Sequence, residues 1–207
     1  VIPVHEESGR TWLSKGLVRK AKIIANKNIE LLSSLVTAER PLIGIEPSAI
    51  LGFRDDYHRL VDVANKNILD KISSKTYLIE EFLADYLTKN PLLKEKFTDE
   101  KKEIAYHGHC HQKSLSSSKF ALDILNFPNN YTVEEIPSGC CGMAGSFGYE
   151  HYDLSMKIGE MVLFPSVRKA GNQTISASGT SCRHQIKDGT RKKSSHPVEI
   201  LFDALKN

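Results

Sequence analysis

The chain has 207 residues and a mass of 23.2 kDa, with 40% hydrophobic and 26% charged residues. This length fits one large or two small domains, and the composition is sufficient for a hydrophobic core, which excludes collagenous, fibrous and disordered proteins. The 28 Lys and Arg residues nearly balance the 25 Asp and Glu residues, so the net charge of +3 does not indicate a nucleic-acid partner.

We expect neither a membrane span nor a leader peptide. No stretch approaches the roughly 18 to 20 apolar residues that cross a bilayer, and the opening residues lack the apolar core of a signal peptide. The expected location is the cytoplasm, with peripheral attachment at the inner face of the membrane as an option. Because the chain begins at Val1 rather than at a methionine, we interpret it as a piece of a longer protein.

The first half of the chain predicts helices separated by one short strand. Apolar residues at helical spacing predict helices over residues 11–37, 57–71 and 78–97. The apolar run at 41–46 is bounded by prolines and predicts a buried strand.

In the second half, predicted strands and helices alternate. The strands are predicted at 103–108, 131–136 and 173–178. The predicted helices are at 113–126 and 151–169, after Ser181, and at 197–206. Because such alternation produces βαβ units, we predict an α/β fold with mainly parallel sheets.

The two halves share an internal spacing. Cys141 lies as many positions before Cys182 as Ser8 lies before Ala49, and a loop with glycine, a helix and a short strand occupy each interval. We therefore predict two related Rossmann-like repeats, of which the first is incomplete.

The predicted domains are the remainder of a first, degenerate repeat at 1–75 and a second repeat at 76–207. Ser8 and Ala49 stand in the first repeat where the second has cysteines. Neither side chain can hold a soft metal. Only the second repeat can therefore form a cysteine site.

The cysteine site is expected at one edge of the sheet. Cys110, the pair Cys140 and Cys141, and Cys182 each follow a predicted strand, and ligands in open α/β folds gather at the carboxyl ends of strands. Four thiolates suit tetrahedral zinc or an iron–sulfur cluster. Close C-x2-C spacings are absent, so either site would be assembled by the tertiary fold. The alternative is four unrelated buried cysteines.

A glycine-rich loop surrounds the adjacent cysteines. Its glycines, Gly139, Gly142, Gly145 and Gly148, recur at every third residue. Glycine lets backbone N–H groups approach sulfur closely, which suits a cluster. The loop matches neither GxGxxG nor a P-loop, so nucleotide binding is not favoured.

A serine- or thiol-based enzyme is the rival interpretation. Ser146 lies in a sequence resembling a nucleophile elbow, followed by Asp188 and His196 in the required order. However, an elbow serine directly follows a strand, whereas about ten residues separate Ser146 from the predicted strand, so we predict a loop residue. A thiol–disulfide enzyme acting through Cys140 is the other form of this alternative.

Histidines surround the first cysteine. His107, His109 and His111 alternate around Cys110, and each could bind metal, donate to sulfur or lie at the surface. We predict that His109 supports a cysteine sulfur and that His107 and His111 are surface residues. Other histidines are expected to cap or flank helices, namely His151, His184 and His196.

The second half contains the segments YHGHCHQKSL, SGCCGMAGSFGYEHYDLSMKIGE, GTSCRHQIKDGT and SSHPVEIL. Together they resemble the cysteine-rich CCG domain at the C-terminal end of FAD-linked oxidases of the D-lactate dehydrogenase and glycolate oxidase iron–sulfur type. The same domain occurs in one of the subunits of heterodisulfide reductase. In the first half, ESGRTWLSKGL and IEPSAILGFRDDY resemble the preceding CCG repeat.

The resemblance implies an iron–sulfur electron-transfer module. In the family, CCG repeats hold iron–sulfur clusters, sometimes zinc, and pass electrons from a reduced flavin to an acceptor. The resemblance implies that a [4Fe–4S] cluster, with zinc as the alternative, is bound by Cys110, Cys140, Cys141 and Cys182. Glu7–Arg10 and Glu46–Ala49 stand where the family has CCGR and EPSC, so three cysteines of the first repeat are missing.

The resemblance also implies partners outside this chain. They are FAD-binding and ferredoxin-like domains of the same polypeptide, with FAD held there, and an electron acceptor such as a quinone-linked one. We therefore expect the C-terminal module of an FAD-linked 2-hydroxy acid dehydrogenase, with no catalytic residues and no turnover of substrate by itself. The alternative is a structural zinc or partner-docking domain without redox activity.

Overall fold

The computed structural model describes residues 5–206 as two compact units, one ending at Leu78 and the other beginning at Ile79. Each unit contains a parallel sheet and helices, which confirms the predicted α/β class with mainly parallel sheets. The start of the first predicted repeat, residues 1–4, and the end of the second, residue 207, lie outside the described residues.

The first unit is a two-stranded parallel sheet with short helices. Its elements are α1 (Arg10–Ser14), α2 (Val18–Leu32), β1 (Leu42–Gly44), α3 (Pro47–Ile50), α4 (Asp56–Leu60), α5 (Lys66–Ser73) and β2 (Thr76–Leu78). Leu42 of β1 lies opposite Thr76 of β2. The longest helix, α2, has 15 residues, and no helix within residues 5–206 is long and apolar enough to span a membrane.

Two helices predicted in this unit are interrupted. The helix predicted over 11–37 divides at Gly16, which has a φ of 72°, and its second piece ends at Leu32. Glycine adopts this left-handed conformation without steric cost, but a right-handed helix cannot continue through it. The helix predicted over 57–71 divides at Val61, whose φ of −71° and ψ of 151° are extended.

The second unit is a four-stranded parallel sheet. Its elements are α6 (Ile79–Lys89), β3 (Lys102–His107), α7 (Cys110–Leu115), α8 (Lys119–Leu125), β4 (Tyr131–Glu135), α9 (Phe147–Glu150), α10 (Tyr152–Met161), α11 (Leu163–Lys169), β5 (Thr174–Ala177), α12 (Thr180–Thr190), β6 (Ser194–Ser195) and α13 (Pro197–Asp203). The strand order is β4-β3-β5-β6. In this order, Ile104 of β3 lies opposite both Val133 of β4 and Thr174 of β5.

Alternate residues of β3 point into two separate cores. Ile104 and Tyr106 join the core formed with α6, α8 and α13. Ala105 joins the core formed with α11 and α12, which contains Phe164. Because successive residues of a strand face opposite sides of the sheet, helices cover β3 on both faces. The carboxyl end of this buried strand is thereby fixed in place.

The strand predictions in this unit are confirmed more closely than the helix predictions. The predicted strands 103–108, 131–136 and 173–178 correspond to β3, β4 and β5. The helix predicted over 151–169 divides at Val162. Pro165 has no N–H to donate, and its ring would clash with the carbonyl of Met161 in a continuous helix. The two-residue strand β6 was not predicted, since it is too short for a periodic pattern.

Candidate functional site

All four cysteines follow strands at one edge of the second unit's sheet. Cys110 begins α7, separated from the end of β3 by two residues, and Cys182 lies in the first turn of α12, after β5. Cys140 and Cys141 lie in the loop between β4 and α9 (residues 136–146), called the cysteine loop below. Because β4, β3 and β5 are adjacent and parallel, their carboxyl ends lie side by side and bring the three cysteine segments together.

The four thiols form one continuous group of contacts. Cys110 hydrogen-bonds with Cys140, Cys140 with Cys141, and Cys141 with Cys182. All four are free thiols; Cys110 and Cys140 are exposed, whereas Cys141 and Cys182 are buried. The group therefore has one end at the surface and the other in the core. The structure thus brings together every cysteine that the sequence analysis singled out.

Thiol donors and acceptors alternate along this group. Donation to Cys140 raises the pKa of Cys110, and donation to Cys140 and Cys182 raises the pKa of Cys141. Hydrogen bonds from Cys110 and Cys141 lower the pKa of Cys140, and a hydrogen bond from Cys141 lowers the pKa of Cys182. The lowered pKa values favour thiolates at Cys140 and Cys182, and thiolate is the form that binds metals and attacks electrophiles.

A tight turn holds the cysteine loop. Gly142 has a φ of 91°, and its backbone N–H donates to Sγ of Cys140 at 3.3 Å. A Cβ at this position would overlap the carbonyl oxygen of Ser155 in α10. Glycine is therefore required here both for the left-handed backbone and for the close approach to α10.

His107 lies beside Cys182, and the prediction that it is a surface residue is wrong. It is 0% exposed, because it ends the central strand β3 opposite Ala177 of β5. Its Nδ1 lies 2.7 Å from Oγ of Ser138, and the imidazole also forms a side-chain hydrogen bond with Cys182. Together with the Cys141 thiol, the imidazole lowers the pKa of Cys182.

His109 has a role in the structure that the sequence did not predict. It precedes α7 and caps it, because its Nδ1 accepts the backbone N–H of His111 at 3.2 Å. Its ring packs against Gly179, where a Cβ would overlap it. Its ring also lowers the pKa of Cys182 electrostatically, after Cys141 and His107. A hydrogen bond from His109 to a cysteine sulfur stays a prediction.

Two polar residues near the site were missed by the sequence analysis. Gln185 of α12 donates from Nε2 to the carbonyl oxygen of Ser155 at 3.1 Å and to its Oγ at 2.9 Å. No motif or spacing marks either residue, since their contact depends on how α10 and α12 pack.

A buried polar network lies near the helices that carry Cys110 and Cys182. Oγ of Ser178, which follows β5, donates to Glu80 at 2.5 Å and lies 3.0 Å from the hydroxyl of Tyr106. That hydroxyl donates to Oε1 of Gln112 in α7 at 2.5 Å, and burial raises the pKa of Tyr106. The network therefore ties the start of α7 to the end of β5.

The remaining candidates occupy structural positions. Ser146 directly precedes α9 and is well separated from β4, so the strand–serine–helix turn of a nucleophile elbow is not formed. His196 caps α13, with its Nδ1 accepting the N–H of Val198 at 3.1 Å, as predicted.

The donor set fits a soft metal centre, although the thiols are not spaced around an ion. Within residues 5–206, no group of three or more His, Cys, Asp or Glu side chains is positioned to hold a metal ion. The sulfurs instead form a row in which each hydrogen-bonds with its neighbour. Four soft ligands from three segments, a backbone N–H on Cys140 and the buried imidazole of His107 beside Cys182 nevertheless match the surroundings of a cysteine-bound cluster.

No family model matches the chain. It is 26% identical over 203 residues to D-2-hydroxyglutarate dehydrogenase of Pantoea ananatis (strain AJ13355), covering 96% of this chain and 19% of the relative. It is 28% identical over 211 residues to D-2-hydroxyglutarate dehydrogenase of Haemophilus influenzae (strain ATCC 51907 / DSM 11121 / KW20 / Rd), covering 96% of this chain and 20% of the relative. It is 27% identical over 200 residues to one of the subunits of the anaerobic glycerol-3-phosphate dehydrogenase of Escherichia coli (strain K12), covering 95% of this chain and 49% of the relative.

The chain thus spans between a fifth and a half of the length of these curated relatives. All three are dehydrogenases or parts of one, so the chain is similar to a part of an oxidoreductase, as expected.

Proposed function

We propose that the second unit is an iron–sulfur electron-transfer module of a larger FAD-linked dehydrogenase. Cys110, Cys140, Cys141 and Cys182 would bind a [4Fe–4S] cluster. The observation that carries the proposal is the single group formed by four thiols from three chain segments. The similarity to dehydrogenases supports a redox role.

Each residue of the site would have a separate task. When bound, the cluster would supply one-electron transfer. The N–H of Gly142 donates to Cys140, and His107 lies at Cys182; hydrogen bonds to cluster sulfurs raise the reduction potential. The buried pair Cys141 and Cys182 would anchor the site in the core.

The exposed end of the site would exchange electrons with partners. Cys110 and Cys140 are exposed, so a redox partner can approach the sulfurs there without displacing the core. We propose that the flavin and the organic substrate bind to other parts of the larger protein, that the substrate is a 2-hydroxy acid, and that electrons leave to an external acceptor.

Metal and sulfide analysis of wild-type protein and Cys182→Ser, both purified without oxygen, tests this proposal. The wild-type protein should contain about four iron and four sulfide per chain, with a broad visible absorption band. The variant should lose most of both. Ser181→Ala, one residue away on α12, should retain them.

Two results would reject the proposal. Zinc without sulfide and without a visible band would indicate a structural zinc domain instead, because d¹⁰ zinc does not absorb there. Unchanged iron in a folded Cys182→Ser protein would show that the metal lies elsewhere.

A further inference from the structure

A buried contact joins α12, the helix that carries Cys182, to α10. Gln185 lies one turn beyond Cys182 in α12 and donates to both the carbonyl oxygen and Oγ of Ser155 in α10. Gln185 is 2% exposed and Ser155 is 0% exposed. Both side chains are therefore buried, and the loss of this amide would leave the hydroxyl of Ser155 without that donor in the core.

The cysteine loop closes directly onto this pair. A Cβ on Gly142 would overlap the carbonyl oxygen of Ser155 and would lie 3.3 Å from Nε2 of Gln185. A Cβ on Gly148, just after the loop, would lie 2.9 Å from Oγ of Ser155. The turn that follows Cys141 is therefore packed directly against Ser155 and Gln185.

The first unit forms the same turn without such a pair. Gly9, related to Gly142 by the internal repeat, has a φ of 75°. Gly52 stands at the position of Gln185, and the exposed Lys22 stands at that of Ser155. The left-handed turn therefore forms without a glutamine–serine contact. Only the unit that has the cysteines contains this contact within the described residues.

We infer that Gln185 and Ser155 are positioning residues that hold the cysteine loop against α12, so that Cys141 stays in contact with Cys182. This inference rests on the proposed function, because the role that it gives to the contact is to keep the four thiols together as one set of ligands. It requires no metal for the positioning itself. Losing the contact would release the loop while leaving Cys182 anchored in its own helix.

Alkylation of the reduced, metal-free chain by iodoacetamide, followed by peptide mass spectrometry, tests the inference. Gln185→Met keeps the length of the side chain but cannot donate, and we expect it to raise the alkylation rate of Cys141 about tenfold. The rate at Cys182 should change far less. Gln173→Met, the same substitution at a partly exposed site, should change neither rate.

The ratio of the two rates separates positioning from general destabilisation. Equal increases at Cys141 and Cys182, or no increase in a folded Gln185→Met protein, would overturn the inference. Ser155→Ala removes only one acceptor and provides a milder variant if Gln185→Met does not fold. It should raise the Cys141 rate less, and a folded Ser155→Ala protein with no rise would also overturn the inference.

The result is independent of the proposed cluster because the measurement is made without metal. A selective rise at Cys141 in a protein that never takes up iron would support positioning of the thiols and reject the iron–sulfur function. Iron uptake by the wild type together with unchanged thiol reactivity in both variants would support the function and reject the positioning role.

Discussion

The backbone N–H of Gly142 donates to Sγ of Cys140 at 3.3 Å. At the equivalent place in the first unit, the N–H of Gly9 donates to Oε2 of Glu7 at 3.0 Å. Both glycines are left-handed, so the same turn presents its N–H to a sulfur in one unit and to a carboxylate in the other. The geometry of the turn is therefore independent of which atom accepts the N–H. The contribution of the turn to stability can be measured separately from that of the thiols.

The first prediction concerns the turn itself. Gly142→Ala adds a methyl group against the carbonyl oxygen of Ser155 and forces alanine into a φ of 91°. We expect it to lower the free energy of unfolding by about 2–4 kcal/mol, through overpacking and backbone strain together. Denaturant unfolding measures this loss.

Two glycine substitutions serve as controls for this prediction. Gly171→Ala has a φ of 57° but open space around its Cβ, so it should show the strain alone, about 1 kcal/mol. Gly139→Ala has open space and no left-handed backbone, and it should be nearly neutral. Equal losses at Gly142 and Gly171 would mean that contact with α10 is unimportant.

A second prediction, which depends on the proposed cluster, concerns His107. His107→Phe removes the imidazole beside Cys182. The reduction potential of the cluster should fall by tens of millivolts, which is the order of magnitude expected for the loss of one hydrogen bond. The reason is that fewer donors then stabilise the reduced cluster, which is the more negative state. His107→Gln can still donate and should restore part of the shift. Redox titration followed by visible absorption measures both.

The control for the histidine prediction is His184→Phe. His184 is an exposed residue of α12 whose Nδ1 lies 3.3 Å from the hydroxyl of Tyr149. His184→Phe should leave the reduction potential of the cluster unchanged. A potential that is the same in wild-type and His107→Phe proteins would show that this imidazole does not donate to the cluster.

The sequence indicated the ends of strands better than the ends of helices. Apolar runs located β3, β4 and β5, and so the edge where the cysteines meet. Breaks inside the predicted helices depend on single residues, such as Gly16 and Pro165, against an otherwise continuous periodic pattern. A window of periodicity averages over such residues, although each has a clear local reason.

The same limit applies to the site. Cys110, Cys140, Cys141 and Cys182 could be grouped from the sequence because each follows a predicted strand. The burial of His107 depends on the strand order, which places β3 between β4 and β5. The contact of Gln185 with Ser155 depends on helix packing in three dimensions, so neither feature follows from spacing along the chain.

A third prediction concerns the polar network at the end of β5. Ser178→Ala removes the hydroxyl that donates to Glu80 and contacts Tyr106, and it should lower the free energy of unfolding by about 1–3 kcal/mol. Adding Tyr106→Phe should cost less in this background than in wild type, because the shared contact is already gone. Ser166→Ala, at a partly exposed serine, should have little effect. If the losses of unfolding free energy in the two single variants add up to the loss in the double variant, Ser178 and Tyr106 act separately.

The last prediction concerns a ring held between two glycines. Phe164 is 1% exposed, and a Cβ on either Gly159 of α10 or Gly189 of α12 would overlap its ring. At a position inside a helix, alanine is usually more favourable than glycine by about 1 kcal/mol. At Gly189 the opposite sign is expected, with a loss of about 1–3 kcal/mol, because the buried ring cannot move away.

Replacing the ring of Phe164 with a smaller side chain should reverse the sign of the stability change caused by Gly189→Ala. In a Phe164→Leu background, Gly189→Ala meets a smaller side chain, so its methyl group should fill space and the helix preference of alanine should reappear. Comparing Gly189→Ala in the two backgrounds by denaturant unfolding gives the coupling energy between the two positions directly. A loss of the same size in both backgrounds would show that something other than contact with Phe164 excludes a side chain at position 189.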